Sequence, residues 1–336
     1  MSLDEGVNPG TVVVAGGTSG VGRAAARAFA EQGRPVAVLA RGQEALTATE
    51  AELRELGAEA RGIQVDMVDR VAVEEAANAV EAELGPIDIW VNSAMVTVLG
   101  EFTQVAPEDF DRVMDVVFGG TVNGTRTALR CMRPRNRGRI VQVGSALAYR
   151  GIPLQSAYCS AKHAVQGLCD SLRAELLHED CAVTVSEVNL PAINTPQFDM
   201  CRNLLAAPAQ PVPPIFQPEV AAEAIVHAAR TGERQVNVTF TTTRTVFADR
   251  AFPGALDHLL ASTGFDSQQV ERARVYDGDN LYEPLPGDHG CHGSFDERAR
   301  SLSRQELLRS TPLGTATRAA GSLARRAGAL ALRPLL

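Results

Sequence analysis

Thr11-Val-Val-Val-Ala-Gly-Gly-Thr-Ser-Gly-Val-Gly22, running into an alanine-rich stretch at 23–32, is where the fold is decided. The first five residues are apolar or β-branched and predict a short strand, the glycines predict a tight turn, and the alanine spacing predicts a helix. Strand, glycine turn and helix in that order make a phosphate-binding unit. Glycines let a pyrophosphate approach the backbone, and the helix N-terminus points N–H groups at it. Gly16, Thr18, Ser19, Gly20, Val21 and Gly22 are therefore candidate contacts.

The alternation continues outward from this unit. Further strands are expected at 35–40, 59–65, 87–91, 139–143, 182–188 and 235–239, and further helices at 43–56, 68–84, 107–132, 156–179 and 218–230. Strands alternating with helices of ten or more residues imply an α/β fold: a doubly wound parallel sheet of about seven strands, helices on both faces, ligands at the carboxyl ends of the strands. Asp66, Asn92 and Ser145 all fall at such ends.

Tyr158-Cys-Ser-Ala-Lys162 lies on the 156–179 helix, so Tyr158 and Lys162 share one face, one turn apart. A free tyrosine is a poor base at neutral pH, and a neighbouring cation favours its phenolate. Lys162 is the sole lysine among 32 basic residues, the rest being arginine. A compact ammonium is thus wanted at this position rather than a guanidinium fork. Ser145 can hydrogen-bond a carbonyl or hydroxyl oxygen against the phenol.

Composition narrows the partners. A net charge of −8 over 336 residues argues against nucleic acid. The six cysteines show no paired spacing, so neither a zinc site nor a disulfide framework is expected. With no secretory leader pattern and no membrane-length apolar run, a cytoplasmic protein is expected.

Taken together, these motifs resemble the short-chain dehydrogenase/reductases over roughly residues 9–240. Residues 15–22 look like the family's TGxxxGxG, Asp66 matches its adenine-contacting aspartate, and Asn92-Ser-Ala-Met95 resembles its NNAG. Ser145, Tyr158 and Lys162 match its catalytic set, and Asn189-Leu-Pro-Ala-Ile-Asn-Thr195 resembles the segment beside the nicotinamide. The resemblance implies a Rossmann-type fold and hydride transfer between a nicotinamide cofactor and an alcohol or carbonyl. Tyr158 would be the acid/base, Ser145 the orienting hydroxyl, and Lys162 both pKa modulator and ribose ligand. Cofactor contacts would add Arg41, Asp66, Asn92, Ala94, Pro191, Ile193 and Thr195. Three positions depart from the pattern: Met95 and Ala192 replace glycines, and Val117 stands where an asparagine joins a proton relay with the lysine.

The second expected strand ends Leu39-Ala-Arg41, without the acid that would repel a ribose 2′-phosphate and with a guanidinium suited to bind it, so NADP(H) is favoured over NAD(H). The leading function is an NADP(H)-dependent oxidoreductase acting on a small apolar carbonyl or secondary alcohol. The alternative is a cofactor-binding scaffold with lost or redirected, non-redox activity. Residues 1–240 would form the catalytic domain, with a proline-rich substrate lid near 195–218, and 241–336 a helical, turn-rich extension. His289, Cys291 and His292 invite a metal reading, but their spacing implies no ligand geometry and plain loop positions are favoured. A basic amphipathic pattern at 313–333 could touch an anionic membrane or a partner, though a frayed or locally packed tail is favoured. A homodimer or tetramer is expected through the helices at 107–132 and 156–179, with Ala128, Ala164 and Leu172 as apolar contacts.

Overall fold

The computed structural model describes residues 10–272, 275 and 278–302. Its centre is one parallel sheet of β1 (Thr11–Ala15), β2 (Val36–Ala40), β3 (Ala60–Gln64), β4 (Ile87–Asn92), β5 (Arg139–Ser145), β6 (Thr184–Leu190) and β7 (Gln235–Asn237). The spatial order is β3-β2-β1-β4-β5-β6-β7. Ala15 sits level with both Leu39 and Asn92, so the carboxyl ends of β1, β2 and β4 open together where the strand order reverses. A crevice for a ligand follows from that topology.

Val12, Val13 and Val14 are all fully buried, as expected of a strand covered on both faces. On one face, helices α1 (Gly20–Ala30), α2 (Gln43–Glu55) and α7 (Pro218–Thr231) bring Phe29, Leu46, Leu53 and Ile225 against Val12, Val38 and Val141. On the other, α3 (Arg70–Leu84), α5 (Gly120–Met132) and α6 (Ser156–His178) bring Val73, Met132 and Val165 against Val13, Trp90 and Ile140. The carboxylate of Asp69 accepts from the backbone N–H groups of Val71 and Ala72 and so caps α3.

The structure revises several local expectations. The helix expected over 107–132 is interrupted: α4 (Pro107–Met114) passes through a π-turn at Asp115–Gly119 before α5 begins. Two adjacent glycines, weak helix formers, end that turn, and a Cβ on Gly120 would come 3.0 Å from the Met67 side chain. The last strand stops at Asn237, because the Thr239 hydroxyl accepts from Thr242 N–H and caps a further helix, Phe240–Ala251. Ala128, offered as a subunit contact, is fully buried in this chain's own core and cannot meet a partner. Among the described residues, no helix is long and apolar enough to cross a membrane. The 313–333 pattern lies outside the described residues.

Candidate active site

The glycine turn is shaped by close approach. Gly16 has φ +78°, and a Cβ there would lie 2.5 Å from the Ala94 backbone; one on Gly22 would lie 2.0 Å from the Gly16 carbonyl oxygen. No side chain fits at either point, so the chain forms a bare cradle at the start of α1. That is what a pyrophosphate requires, and the residues present fit a dinucleotide.

A cavity of about 630 Å³ runs from this cradle to the first turns of α6. Gly16, Thr18, Ser19, Gly20, Val21, Gly22, Arg41, Asp66, Ala94, Ser145, Tyr158, Lys162, Pro191, Ile193 and Thr195 all line it, so β1, β2, β4, β5, β6 and α6 deliver nearly every candidate to one space. Asn92 is the exception. Its amide is turned into the core, donating to Thr125 Oγ1 at 3.1 Å and Gln142 Oε1 at 2.9 Å while accepting from the Trp90 indole at 2.8 Å. It braces β4 against β5 and α5, and the cavity wall falls to Ser93 and Ala94. Met95 and Ala192 also line the cavity, so side chains stand where the family pattern has glycines.

The Ser145 hydroxyl hydrogen-bonds Tyr158 and also accepts from Leu147 N–H at 3.1 Å. Burial pushes the Tyr158 phenol up, and the bond from Ser145 only partly offsets it. The net direction is opposite to what the neighbouring cation alone was expected to give, because taking a phenolate out of water costs more here. Lys162 is 5% exposed, and its ammonium lies 5.5 Å from the centre of the Tyr158 ring. It donates to the Val143 carbonyl at 2.7 Å, which fixes the head group and leaves two N–H donors. Burial pulls Lys162 down to about 8, with the buried Glu187 carboxylate acting against that shift.

At the other end, Asp66 accepts from Val68 N–H at 3.1 Å and Arg112 at 2.7 Å. Burial would raise its pKa, but the bonds from Arg112 and Val68 and the charges of Arg112 and Arg41 together hold it below the usual value. Arg41 extends from the end of β2 to carbonyl oxygens of the C-terminal segment, Tyr282 at 2.6 Å and Asn280 at 2.5 Å. Pro284, Leu285 and His289 of that segment line the cavity too. Sequence reasoning missed this wall, since the segment has turn-rich composition and no periodicity. It also missed Leu256 and Leu260 on the helix Pro253–Thr263, which line the cavity with Ile152, Phe198 and Val212. His289, Cys291 and His292 diverge: His289 faces the Leu285 carbonyl, His292 faces Glu219 and Asp296, and Cys291 packs in the core beside Arg27.

The sheet order is that of a Rossmann-type fold, and the glycine cradle and the Ser145, Tyr158 and Lys162 cluster share one cavity. The short chain dehydrogenase family matches residues 10–203, and the chain belongs to that family of nicotinamide-dependent oxidoreductases. An oxidoreductase of Bacillus subtilis (strain 168), YxnA, is 33% identical over 93% of this chain and 88% of its own length. A short chain dehydrogenase of Pseudocercospora fijiensis (strain CIRAD86) is 36% identical over 59% of this chain and 69% of its own. Among solved structures, a variant actinorhodin polyketide ketoreductase with NADPH aligns at TM-score 0.61 and 28% identity, covering 68% of this chain and 95% of that one.

Proposed function

We propose that the protein is an NADP(H)-dependent reductase of a small, apolar carbonyl compound, or the corresponding alcohol dehydrogenase. The observation that carries this reading is that Ser145, Tyr158 and Lys162 line the same cavity as the glycine cradle. Gly16 to Gly22 would hold the pyrophosphate, Lys162 the nicotinamide ribose, Pro191, Ile193 and Thr195 the ring, and Arg41 a 2′-phosphate. The cofactor, when bound, supplies or accepts the hydride. The chain's own residues handle the proton. A phenol pushed up by burial is protonated at neutral pH, which suits Tyr158 to donate to a carbonyl oxygen held by Ser145. Ile152, Phe198, Val212, Leu256 and Leu260 at that end of the cavity favour an apolar substrate.

NADP(H) is preferred because β2 ends without an acid and with Arg41. A ketoreductase solved with NADPH among the structural neighbours is consistent with this. Single-turnover oxidation of NADPH against a panel of ketones tests the reaction. Tyr158→Phe is expected to lower it by roughly a hundredfold or more. Unchanged activity would instead support the redirected scaffold. Arg41→Ala should weaken NADPH binding more than NADH binding, read by titration of each, and equal losses would reject the cofactor assignment.

A further inference from the structure

The C-terminal segment 280–290 lies across the adenosine end of the cleft, and its backbone oxygens sit on donors that an anionic cofactor would otherwise engage. Asn280 and Tyr282 offer their carbonyls to the two terminal nitrogens of Arg41, at 2.5 and 2.6 Å. The Gly290 carbonyl accepts from Gly20 N–H at 3.0 Å, at the start of α1. The segment is firmly seated between these points. Leu281 is fully buried in an apolar cluster with Val96, Val113 and Val117, and its carbonyl accepts from Arg112 at 3.2 Å. Asn280 N–H donates to the Met200 carbonyl at 2.9 Å, and Gly287 N–H donates to Glu44 at 2.6 Å. Asp288 pairs with the buried Arg23.

A guanidinium fork facing two carbonyls is satisfied but not neutralised. A phosphate supplies the same two acceptors with charge, in bonds roughly twice as strong as those to neutral oxygens. A ribose 2′-hydroxyl cannot compete in this way. We propose that residues 280–290 are a strap latched by Arg41, whose hold on the carbonyls of Asn280 and Tyr282 is released when the 2′-phosphate of NADP(H) takes the fork. The proposal rests on the reading of Arg41 as the 2′-phosphate ligand. It adds that the 2′-phosphate is sensed by a segment outside residues 10–203: NAD(H) leaves the latch closed, and NADP(H) opens it.

Hydrogen exchange on the full chain tests this, with adenosine 2′,5′-bisphosphate and adenosine 5′-monophosphate as probes and their affinities measured separately by calorimetry. The amides of Asn280, Leu281 and Gly287 are expected to exchange roughly tenfold faster with the bisphosphate and unchanged with the monophosphate. If the bisphosphate binds more tightly yet leaves exchange unchanged or slower, the strap is overturned and the cofactor reading stands. If the two probes bind equally, the cofactor reading fails and the latch with it. Arg41→Lys, which keeps the charge but loses the fork, should show fast strap exchange without any ligand while retaining a cooperative melt. Wild-type exchange in that variant would overturn the latch.

Discussion

Lys162 carries its charge in a place that disfavours it. Burial sets its folded pKa at about 8, below its ordinary 10.5. Between these values the unfolded chain binds more protons than the folded one. This group's contribution to stability therefore rises as pH climbs from about 8 to about 10.5, and its burial cost is fully present below about 8. Activity should run the other way. The ammonium is lost above pH 8, so kcat/KM is expected to fall on that side of the profile; a flat profile to pH 10 would show that the charge is not used. Val117 is a second residue with an opposed pair of demands. Its side chain is fully buried in the apolar cluster that also holds Ala157, Ala161 and Leu281. Val117→Asn would restore the family's residue but bury an amide among methyl groups, at a cost of about 1–3 kcal/mol. Urea denaturation should show that loss, while single-turnover hydride transfer survives, because the placement of Ser145 and Tyr158 does not depend on this side chain. Steady-state turnover and its pH dependence should change more than the single-turnover step.

Elements were legible where packing writes a period into the sequence. The run Thr11 to Ala15 reads as a strand because helices cover both of its faces and Val12 to Ala15 are all apolar and buried. Tyr158 and Lys162 could be placed on one face because helical spacing leaves no alternative. The π-turn at Asp115–Gly119 was not legible: it inserts into a pattern that still looks helical, and only the Gly119-Gly120 pair hints at it. Asn92 was misread for a related reason. An amide at the end of β4 suits either cavity or core, and the choice rests on Trp90, Thr125 and Gln142, which the chain brings near only on folding. The wall from 280 to 290 was invisible because it works through carbonyls, which every residue has.

At the scale of the whole chain, the sequence suggests a catalytic core at 1–240 followed by an extension at 241–336, and described residues between 279 and 296 of that extension contact the core. Arg41 meets Asn280, Arg23 meets Asp288, Arg202 meets Asp279, and Asn194 meets Asp296. Leu281 and Phe295 are buried at 0% and 4% exposure. Burial of that kind gives the segment a share in the stability of the catalytic core, so the two should unfold together. The single tryptophan makes this measurable, since Trp90 is fully buried in the sheet, far in sequence from the strap. Leu281→Ala would leave a cavity among Val96, Val113 and Val117, at a cost of about 2–5 kcal/mol. If the chain folds as one unit, the unfolding free energy read from Trp90 fluorescence in urea should fall by that amount, and the fluorescence and circular dichroism midpoints should move together. If the extension is an independent appendage, the Trp90 transition should stay where it is and only a separate, earlier step should move.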